Sequence, residues 1–302
     1  MNTLEIIFFI LLSIVFYTYI GYGIILWILV RIKRIFIKEK SYHTMEELPE
    51  VTLFITAYNE EQVVEKKMQN CRELDYPKEK FQIVWVTDGS CDTTNKKLKA
   101  YPDATVYYSA ERKGKTAAMN RGIKFVTTPI VIFTDANTSI NSQSIREMVR
   151  YFNNPKVGCV AGEKRINMHT KDEAAVGGEG MYWKYESFLK KLDSQLHSAV
   201  GAAGELFAIR TSLYEQMPND TLLDDFILSL KIAMKKYIIA LLKTFSIFFL
   251  AENKRLTKNC GLNANDLETS EVPYLTLFCI KTKERFVYLQ IYKKSLINTL
   301  IY

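Results

Sequence analysis

The 302-residue sequence lacks the patterns that mark several common protein classes. Its five cysteines form no CxxC pair, none has a histidine at metal-ligand spacing, and the three histidines are scattered, which excludes a zinc site. The odd number of cysteines favours free thiols in a reducing compartment over a disulfide framework. Gly114-Lys115-Thr116 resembles the end of a P-loop, but Ser109 occupies the position of the required earlier glycine, which excludes that loop.

The composition excludes a disordered chain. Hydrophobic residues make up 48% of the sequence and aromatic residues 13%, which is enough to fill a sizeable core. The sequence contains no internal repeat and no low-complexity tract. The net charge of +7 is compatible with nucleic acid, anionic lipid or a phosphorylated ligand, so the total charge by itself does not choose between partners.

No charged residue occurs between Ile6 and Val30, a run rich in Ile, Leu and aromatic residues. A helix crosses a hydrocarbon core in about 20 residues, so this run can span a membrane. It is too long for the apolar part of a signal peptide and has no small-residue cleavage site. The basic segment that begins at Arg31 places the following domain on the cytoplasmic side. We therefore predict a single-pass cell-membrane protein with an anchor at 1–32 and a linker at 33–50; a buried or interfacial helix is the alternative.

Beyond the linker, short apolar runs alternate with longer polar stretches that suit helices. This alternation predicts an α/β domain with a mostly parallel sheet and helices on both faces. The predicted strands are Val51–Tyr58, Phe81–Asp88, Thr105–Ser109, Ile130–Asp135 and Val157–Ala161, and the predicted helices are Glu60–Leu74, Thr116–Phe125 and Ser142–Phe152.

Three polar motifs follow predicted strands at the point where each strand ends. Ligands of open α/β sheets bind outside the carboxyl ends of the strands, so the motifs are expected to converge on one edge. Asp and Asn also cap helices and start turns, which is the alternative for each motif taken alone. The motifs are Tyr58-Asn59-Glu60, Asp88-Gly89-Ser90 and Asp135-Ala136-Asn137.

These residues suit the binding of a nucleoside diphosphate-sugar, whose diphosphate must leave with its negative charge stabilised. Mg²⁺ or Mn²⁺ takes oxygen ligands, commonly only one or two of them protein carboxylates, and Asp135 with Asn137 supplies two oxygens. Lys113 and Lys115 are cations that could contact the same phosphates. A solvated basic loop is the alternative for both lysines.

Asp224 and Asp225 are adjacent acids in an otherwise apolar segment. Adjacent carboxylates repel each other and partial burial raises a carboxyl pKa, so one of them can accept a proton. An acceptor hydroxyl needs such a general base to attack an anomeric carbon, and we assign that role to Asp225. The alternative is that Asp224 caps a helix beginning near Phe226.

Five motifs in this order resemble those of family 2 glycosyltransferases, the group that includes cellulose, chitin and hyaluronan synthases. The resemblance extends from about Val51 to Tyr237. The motifs are Ala57-Tyr58-Asn59-Glu60-Glu61, Thr87-Asp88-Gly89-Ser90, Gly114-Lys115-Thr116-Ala117-Ala118-Met119-Asn120, Phe133-Thr134-Asp135-Ala136-Asn137-Thr138 and Leu223-Asp224-Asp225-Phe226.

The resemblance implies a GT-A fold and inverting transfer from a UDP-sugar to a hydroxyl of a carbohydrate or lipid-linked acceptor. Such a chain would act in polysaccharide or glycolipid synthesis and would have no nucleic-acid partner. Carried over by position, Asp135 would bind Mg²⁺ or Mn²⁺ and Asp225 would be the catalytic base. Tyr58, Glu60 and Asp88 would contact the uridine, and Lys115 would lie beside the nucleotide.

The sequence departs from the family pattern in two places. Asn137 stands where better-known synthases have a second Asp, which removes one negative charge beside the diphosphate. The Gln-x-x-Arg-Trp motif of processive members is absent, since all three tryptophans precede Asp225. The resemblance defines a domain at 51–237 and leaves 238–302 as a divergent tail, so we expect the chain to be frame-shifted or truncated near Tyr237. Two alternatives stay open: a nucleotide-sugar-binding protein without turnover, and a nucleotidyltransferase.

Overall fold

The computed structural model describes residues 2–36, 47–164, 173–199, 201–202 and 204–249, all within one unit, Met1–Ala251. Residues 37–46 of the predicted linker and 250–302 of the predicted tail lie outside the described residues. The helices are α1 (Thr3–Phe16), α2 (Tyr22–Phe36), α3 (Val64–Arg72), α4 (Thr94–Leu98), α5 (Lys115–Gly122), α6 (Ser144–Arg150), α7 (Glu173–Leu196) and α8 (Asp224–Met234). The strands are β1 (Val51–Ala57), β2 (Phe81–Asp88), β3 (Ala104–Ser109), β4 (Ile130–Asp135), β5 (Thr138–Ile140), β6 (Val157–Lys164), β7 (Leu206–Arg210) and β8 (Ile238–Phe249).

The eight described strands form one mixed sheet in the order β3-β2-β1-β4-β7-β6-β8-β5. The first four are parallel to one another, as the alternation of strands and helices predicts, because a parallel connection needs a crossover. β7 is antiparallel to both of its neighbours, β8 is parallel to β6, and β5 is antiparallel to β8. The prediction of an α/β domain with a mostly parallel sheet is confirmed.

Helices cover both faces of this sheet, because successive strand residues point to opposite sides. Leu53 and Ile55 of β1 belong to a core cluster that includes residues of α3, α4 and α6. Phe54, between them, belongs to a second cluster that includes residues of α5 and α8. The strands are therefore buried on both sides and read as continuous apolar runs in the sequence.

Some predicted elements have the observed bounds, whereas one helix begins later and some of the strands were not predicted. The strands Phe81–Asp88 and Ile130–Asp135 have the predicted bounds, whereas the helix predicted to begin at Glu60 begins at Val64. The backbone N–H of Glu60 donates to Thr94 Oγ1 at 2.9 Å, which fixes this segment as a loop. The sequence analysis predicts neither β7 nor β8. β8 lies in the segment treated there as the start of the tail, and it pairs with β6 and β5.

The N-terminal helical segment, Thr3–Phe36, is long and apolar enough to be a candidate membrane span. A π-helical turn, Tyr17–Gly21, joins α1 to α2. The side chains of α1 are exposed, whereas one face of α2 packs against α7. The Tyr22 hydroxyl donates to Asp193 Oδ1 at 2.8 Å in this interface.

The contact between α2 and α7 continues at the end of the apolar run. Lys33 Nζ donates to the carbonyl oxygens of Gln195 and Leu196, both at 2.7 Å. A cation at the carboxyl end of a helix satisfies carbonyls that have no partner within the helix. The domain therefore contacts the candidate span along α2, from Tyr22 to the basic end.

Gly122 allows α5 to approach the sheet closely. A Cβ atom at this position would lie 2.5 Å from both Phe54 Cζ and Val86 Cγ2. We expect Gly122→Ala to lower the free energy of unfolding by about 1–3 kcal/mol, the usual cost of overpacking a core. Thermal unfolding of the detergent-solubilised chain measures the effect. An unchanged midpoint would contradict the close approach of α5.

Candidate functional site

The three polar motifs lie along one edge of the sheet. In the parallel register, Ala57 pairs with Thr87 and Thr56 pairs with Asp135. The residues that follow β1, β2 and β4 therefore leave the sheet at the same edge. The structure thus brings together the site residues that the sequence analysis takes from distant parts of the chain.

The loops after β1 and β2 are tied to each other by hydrogen bonds. The backbone N–H of Asn59 donates to Ser90 Oγ at 3.1 Å, and Asn59 Oδ1 accepts from the backbone N–H of Cys91 at 2.9 Å. Asn59 has a φ of +53°, a conformation that Asn adopts more readily than most residues. This turn places the half-buried Tyr58 ring beneath the guanidinium of Arg112, 3.9 Å from the ring centroid.

Asp88 organises the loop that precedes α5. The residue is only 4% exposed, and its Oδ2 accepts from the backbone N–H groups of Lys113 at 2.9 Å and Gly114 at 2.7 Å. Arg121 lies 3.4 Å from Asp88 Oδ1 and donates to the carbonyl oxygen of Thr87. Both carboxylate oxygens thus have partners within the protein, and the resemblance gave no sign of this arrangement.

Gly89 lets this loop approach β2. Its φ is +68°, and a Cβ atom there would lie 2.6 Å from the backbone nitrogen of Arg112. Both the left-handed conformation and the close approach require glycine. The glycine of the Asp88-Gly89-Ser90 motif therefore allows the Arg112–Gly114 loop to pack against the end of β2.

Lys115, at the start of α5, lies between two carboxylates. Its Nζ is 2.9 Å from Asp135 Oδ1 and 3.5 Å from Asp224 Oδ2. Burial alone would lower the pKa of Lys115, but Asp135 and Asp224 together raise it above the ordinary value, so the side chain stays charged. Lys113 differs, because its exposed Nζ pairs with Glu111 at 3.0 Å. The solvated-loop alternative therefore describes Lys113 and does not describe Lys115.

Asp224 and Asp225 have different surroundings at the start of α8. Asp224 is 6% exposed, and burial raises its pKa although Lys115 partly opposes that shift. Asp225 is partly exposed and packs against Gly204, where a Cβ atom would lie 3.4 Å from the Asp225 carboxyl group. The helix begins at Asp224 and its N-cap is Leu223, so the alternative that Asp224 caps the helix is wrong.

Thr116 and Asn120, the other polar residues of the motif in α5, bind the segment that precedes α8. Thr116 Oγ1 donates to the carbonyl oxygen of Thr221 at 2.8 Å. Asn120 Nδ2 donates to the carbonyl oxygen of Met217 at 2.7 Å, and its Oδ1 accepts from the Tyr214 hydroxyl at 2.9 Å. These bonds hold the segment that leads into Asp224. One helix therefore supplies Lys115 and also positions the acids that face it.

The segment that carries Asp135 and Asn137 is held from below by Lys67. This lysine is completely buried, and its Nζ donates to the carbonyl oxygen of Thr138 at 2.6 Å and to Thr134 Oγ1 at 3.2 Å. Burial lowers the pKa of Lys67 to about 8, although Cys71 and Asp135 oppose the shift. The sequence analysis missed Lys67. Its signal was a charged residue among the apolar positions Val64, Met68 and Cys71, which share one face of α3.

The Asp135–Asn137 segment suits a divalent cation. Asn137 Oδ1 is buried without a hydrogen-bond partner, and Asp135 already attracts the ammonium of Lys115. Among the described residues no group of three or more His, Cys, Asp or Glu side chains could hold a metal. A cation completed by phosphate oxygens needs only one or two protein ligands, so this smaller set is sufficient.

Glu60 faces the same acidic edge, and burial together with Asp135 and Asp92 raises its pKa from 4.5 to about 7. Between these two values the folded chain holds a proton that the unfolded chain has lost, so stability falls as the pH rises. We expect Glu60→Gln to remove this fall between pH 4.5 and 7. Unfolding midpoints measured across that range in EDTA test this expectation, with the exposed Glu50→Gln as the control. The same slope in Glu60→Gln as in the wild type would contradict it.

Two of the cysteines are buried free thiols, as expected. They are Cys71 in α3 and Cys159 in β6.

Comparisons with known proteins place this geometry among sugar transferases. The model of the Glycosyl transferase family 2 domain matches residues 52–217, more than half of the chain. A poly-beta-1,6-N-acetyl-D-glucosamine synthase of Staphylococcus aureus (strain COL) is 27% identical over 230 residues, which cover 70% of this chain and 54% of that relative. The chain thus spans about half the length of the curated relatives it matches.

Solved structures share the fold. A mannosyltransferase from Pyrobaculum calidifontis, in complex with GDP-Man and Mn²⁺, aligns with a TM-score of 0.63 and 25% identity, covering 79% of this chain and 67% of that one. S. aureus TarS 1-349 aligns with a TM-score of 0.51 and 15% identity, covering 66% and 60% of the two chains. The second similarity supports the GT-A fold alone.

Proposed function

Because the chain belongs to glycosyl transferase family 2, we propose that it transfers a sugar from a UDP-sugar to a hydroxyl of a carbohydrate or lipid-linked acceptor. The observation that carries this proposal is the cluster in which Lys115 faces Asp135 and Asp224 at the carboxyl edge of the sheet. Lys115 between two carboxylates can bind a diphosphate, and the nearby Asn137 Oδ1, which has no hydrogen-bond partner among the described residues, can bind a metal ion. The cluster therefore suits a nucleoside diphosphate that binds together with a metal. We infer that transfer inverts the anomeric configuration.

In this proposal Asp135 and Asn137 hold Mg²⁺ or Mn²⁺. The ion would act as a Lewis acid that stabilises the charge developing on the leaving diphosphate. The mannosyltransferase with the similar fold binds Mn²⁺ together with a nucleotide sugar, which supports the assignment. Lys67 would keep the two ligands in place, since it bonds to both ends of their segment.

Asp225 is the proposed catalytic base. Asp224 is buried beside Lys115, whereas Asp225 is partly exposed, so an acceptor can reach Asp225 more readily. The acceptor hydroxyl would give its proton to Asp225 while its oxygen bonds to the anomeric carbon. The bond from that carbon to the diphosphate oxygen breaks on the opposite side, and the diphosphate takes the electron pair.

Tyr58 and Glu60 are proposed to contact the uridine, since they lie at the edge formed by β1 and β2. Asp88 is proposed to act differently from the role that the resemblance implies. Its carboxylate is bonded to the Lys113–Gly114 backbone, so it would affect the nucleotide through the position of that loop.

The proposal places the domain on the cytoplasmic face of the membrane. The candidate span carries Arg31, Lys33 and Arg34 near its carboxyl end, and such positive flanks favour the cytoplasmic side. Lys33 bonds to the end of α7, so the basic flank and the domain must lie on the same side. An acceptor at the membrane surface would be within reach of the domain.

Titration calorimetry of the full chain in detergent tests the proposal. UDP is titrated with and without Mn²⁺, and GDP serves as the matched control nucleotide. We expect UDP binding that depends on Mn²⁺, and radiolabelled UDP-sugars should then release UDP in the presence of an acceptor. Metal-dependent UDP binding without transfer or hydrolysis would favour a binding protein without turnover. The absence of UDP binding by the folded chain would overturn the proposal.

A further inference from the structure

The position of Lys115 within the site bears on how a metal and a diphosphate bind together. Its Nζ is 2.9 Å from Asp135 Oδ1, which is the carboxylate assigned to the metal, and 3.5 Å from Asp224 Oδ2. Asp224 Oδ2 is buried and has no hydrogen-bond partner among the described residues. The ammonium of Lys115 is the cation that balances its negative charge. The ammonium therefore lies between Asp135, the proposed metal ligand, and Asp224 at the start of α8.

The backbone on either side of Lys115 is held by hydrogen bonds, whereas its side chain is held by two ion pairs. Asp88 accepts from the N–H of Gly114, the residue before it, and Thr116, the residue after it, bonds to Thr221. The two polar contacts of Nζ are the ion pairs themselves, and the side chain is partly exposed. A lysine ammonium is a point charge on a flexible chain of four carbons, and it binds a carboxylate in no fixed orientation. It can therefore move to another anion without backbone movement.

An ammonium and a divalent cation compete for Asp135 Oδ1. The ammonium lies 2.9 Å from Asp135 Oδ1, so a cation bound to that oxygen would be repelled by it in this partly desolvated site, and each would weaken the binding of the other. A diphosphate changes this balance, because its oxygens attract the same ammonium. If Lys115 moved to the diphosphate, Asp135 would become available to a divalent cation.

We propose that Lys115 is an internal counter-cation for Asp135 and couples metal binding to diphosphate binding. This inference rests on the proposed function, since it assumes that one site takes both ligands. The site then binds a divalent ion weakly by itself and tightly together with a nucleoside diphosphate. By thermodynamic linkage, the ion strengthens nucleotide binding by the same factor.

The test measures Mn²⁺ binding by electron paramagnetic resonance of the free ion, without any sugar. Lys115→Met removes the charge and keeps most of the side-chain volume. We expect Mn²⁺ alone to bind this variant roughly tenfold more tightly than the wild type, within the usual range of coupling between sites. We also expect UDP to strengthen Mn²⁺ binding by a larger factor in the wild type than in the variant, because in the variant only the phosphate oxygens contribute to the effect.

Three further variants sharpen the result. Lys113→Met removes a charge from the same loop, but that lysine pairs with exposed Glu111, so Mn²⁺ affinity should be unchanged. Lys115→Arg keeps the charge and should bind Mn²⁺ as weakly as the wild type. Lys115→Gln repeats the charge removal with a side chain that can still donate to Asp135, which covers the case in which Lys115→Met does not fold.

The outcomes separate this inference from the proposed function. If Lys115→Met and Lys115→Gln bind Mn²⁺ alone no more tightly than the wild type, the counter-cation role is wrong even where UDP binding is normal. If the wild type binds no UDP, the proposed function fails. The Mn²⁺ affinities of the wild type and of Lys115→Met without UDP still show whether Lys115 competes with the ion for Asp135. A wild type whose Mn²⁺ affinity is unaffected by UDP would also overturn the coupling.

Discussion

Asp225→Asn is expected to bind UDP with Mn²⁺ as the wild type does and to lose most of its sugar transfer. General base catalysis typically contributes about 10²–10⁴-fold, so kcat should fall within that range. The amide has nearly the shape of the carboxylate, so its contact with Gly204 should persist. A large fall in kcat with unchanged nucleotide affinity is the signature of a group that acts only in the chemical step.

Two neighbouring acids provide controls for that experiment. Asp220→Asn changes an exposed acid in the preceding loop and should leave both kcat and UDP affinity unchanged. Asp224→Asn removes a partner of Lys115, so it should alter nucleotide and metal affinity more than the chemical step. If Asp224→Asn abolished kcat while Asp225→Asn remained active, the assignment of the base would have to move to Asp224.

Asp135→Ala is expected to remove the Mn²⁺ dependence of UDP binding. Changes to groups that merely support a metal ligand cost about 10–100-fold in affinity, and loss of the ligand itself should exceed that cost. The change also removes the nearer of the two partners of Lys115, whose Nζ keeps Asp224 at 3.5 Å. Calorimetry with UDP in Mn²⁺ and in EDTA should therefore give the same weak binding for this variant.

Asp103→Ala is the matched control, because that carboxylate forms an exposed ion pair with Arg72. Exposed pairs contribute about 0–1 kcal/mol, so neither folding nor Mn²⁺-dependent UDP binding should change noticeably. Retention of Mn²⁺-dependent binding in Asp135→Ala would show that the metal, if used, is held elsewhere.

The parallel strands of the sheet and the polar residues at their carboxyl edge could be predicted from the amino-acid sequence alone. The apolar runs Phe81–Asp88 and Ile130–Asp135 became strands with the predicted bounds, because strands buried on both faces have an unmistakable composition. Parallel strands bring their carboxyl ends to one edge, so the order of the motifs was sufficient to predict their convergence. The prediction of a candidate membrane span near the N-terminus likewise depends only on composition and length.

The contacts of those residues are visible only in the folded chain, because they depend on loop conformations that the local sequence does not specify. Asp88 could have faced a ligand, but it binds the backbone of a loop 25 residues further on. Lys67, which no sequence motif singled out, is completely buried and donates to the carbonyl oxygen of Thr138, next to the Asp135–Asn137 segment. Lys115 lies between acids that are 20 and 109 residues away in the chain. Only packing of the helices on the sheet brings such groups within a few ångströms, and that proximity sets their charges and their chemistry.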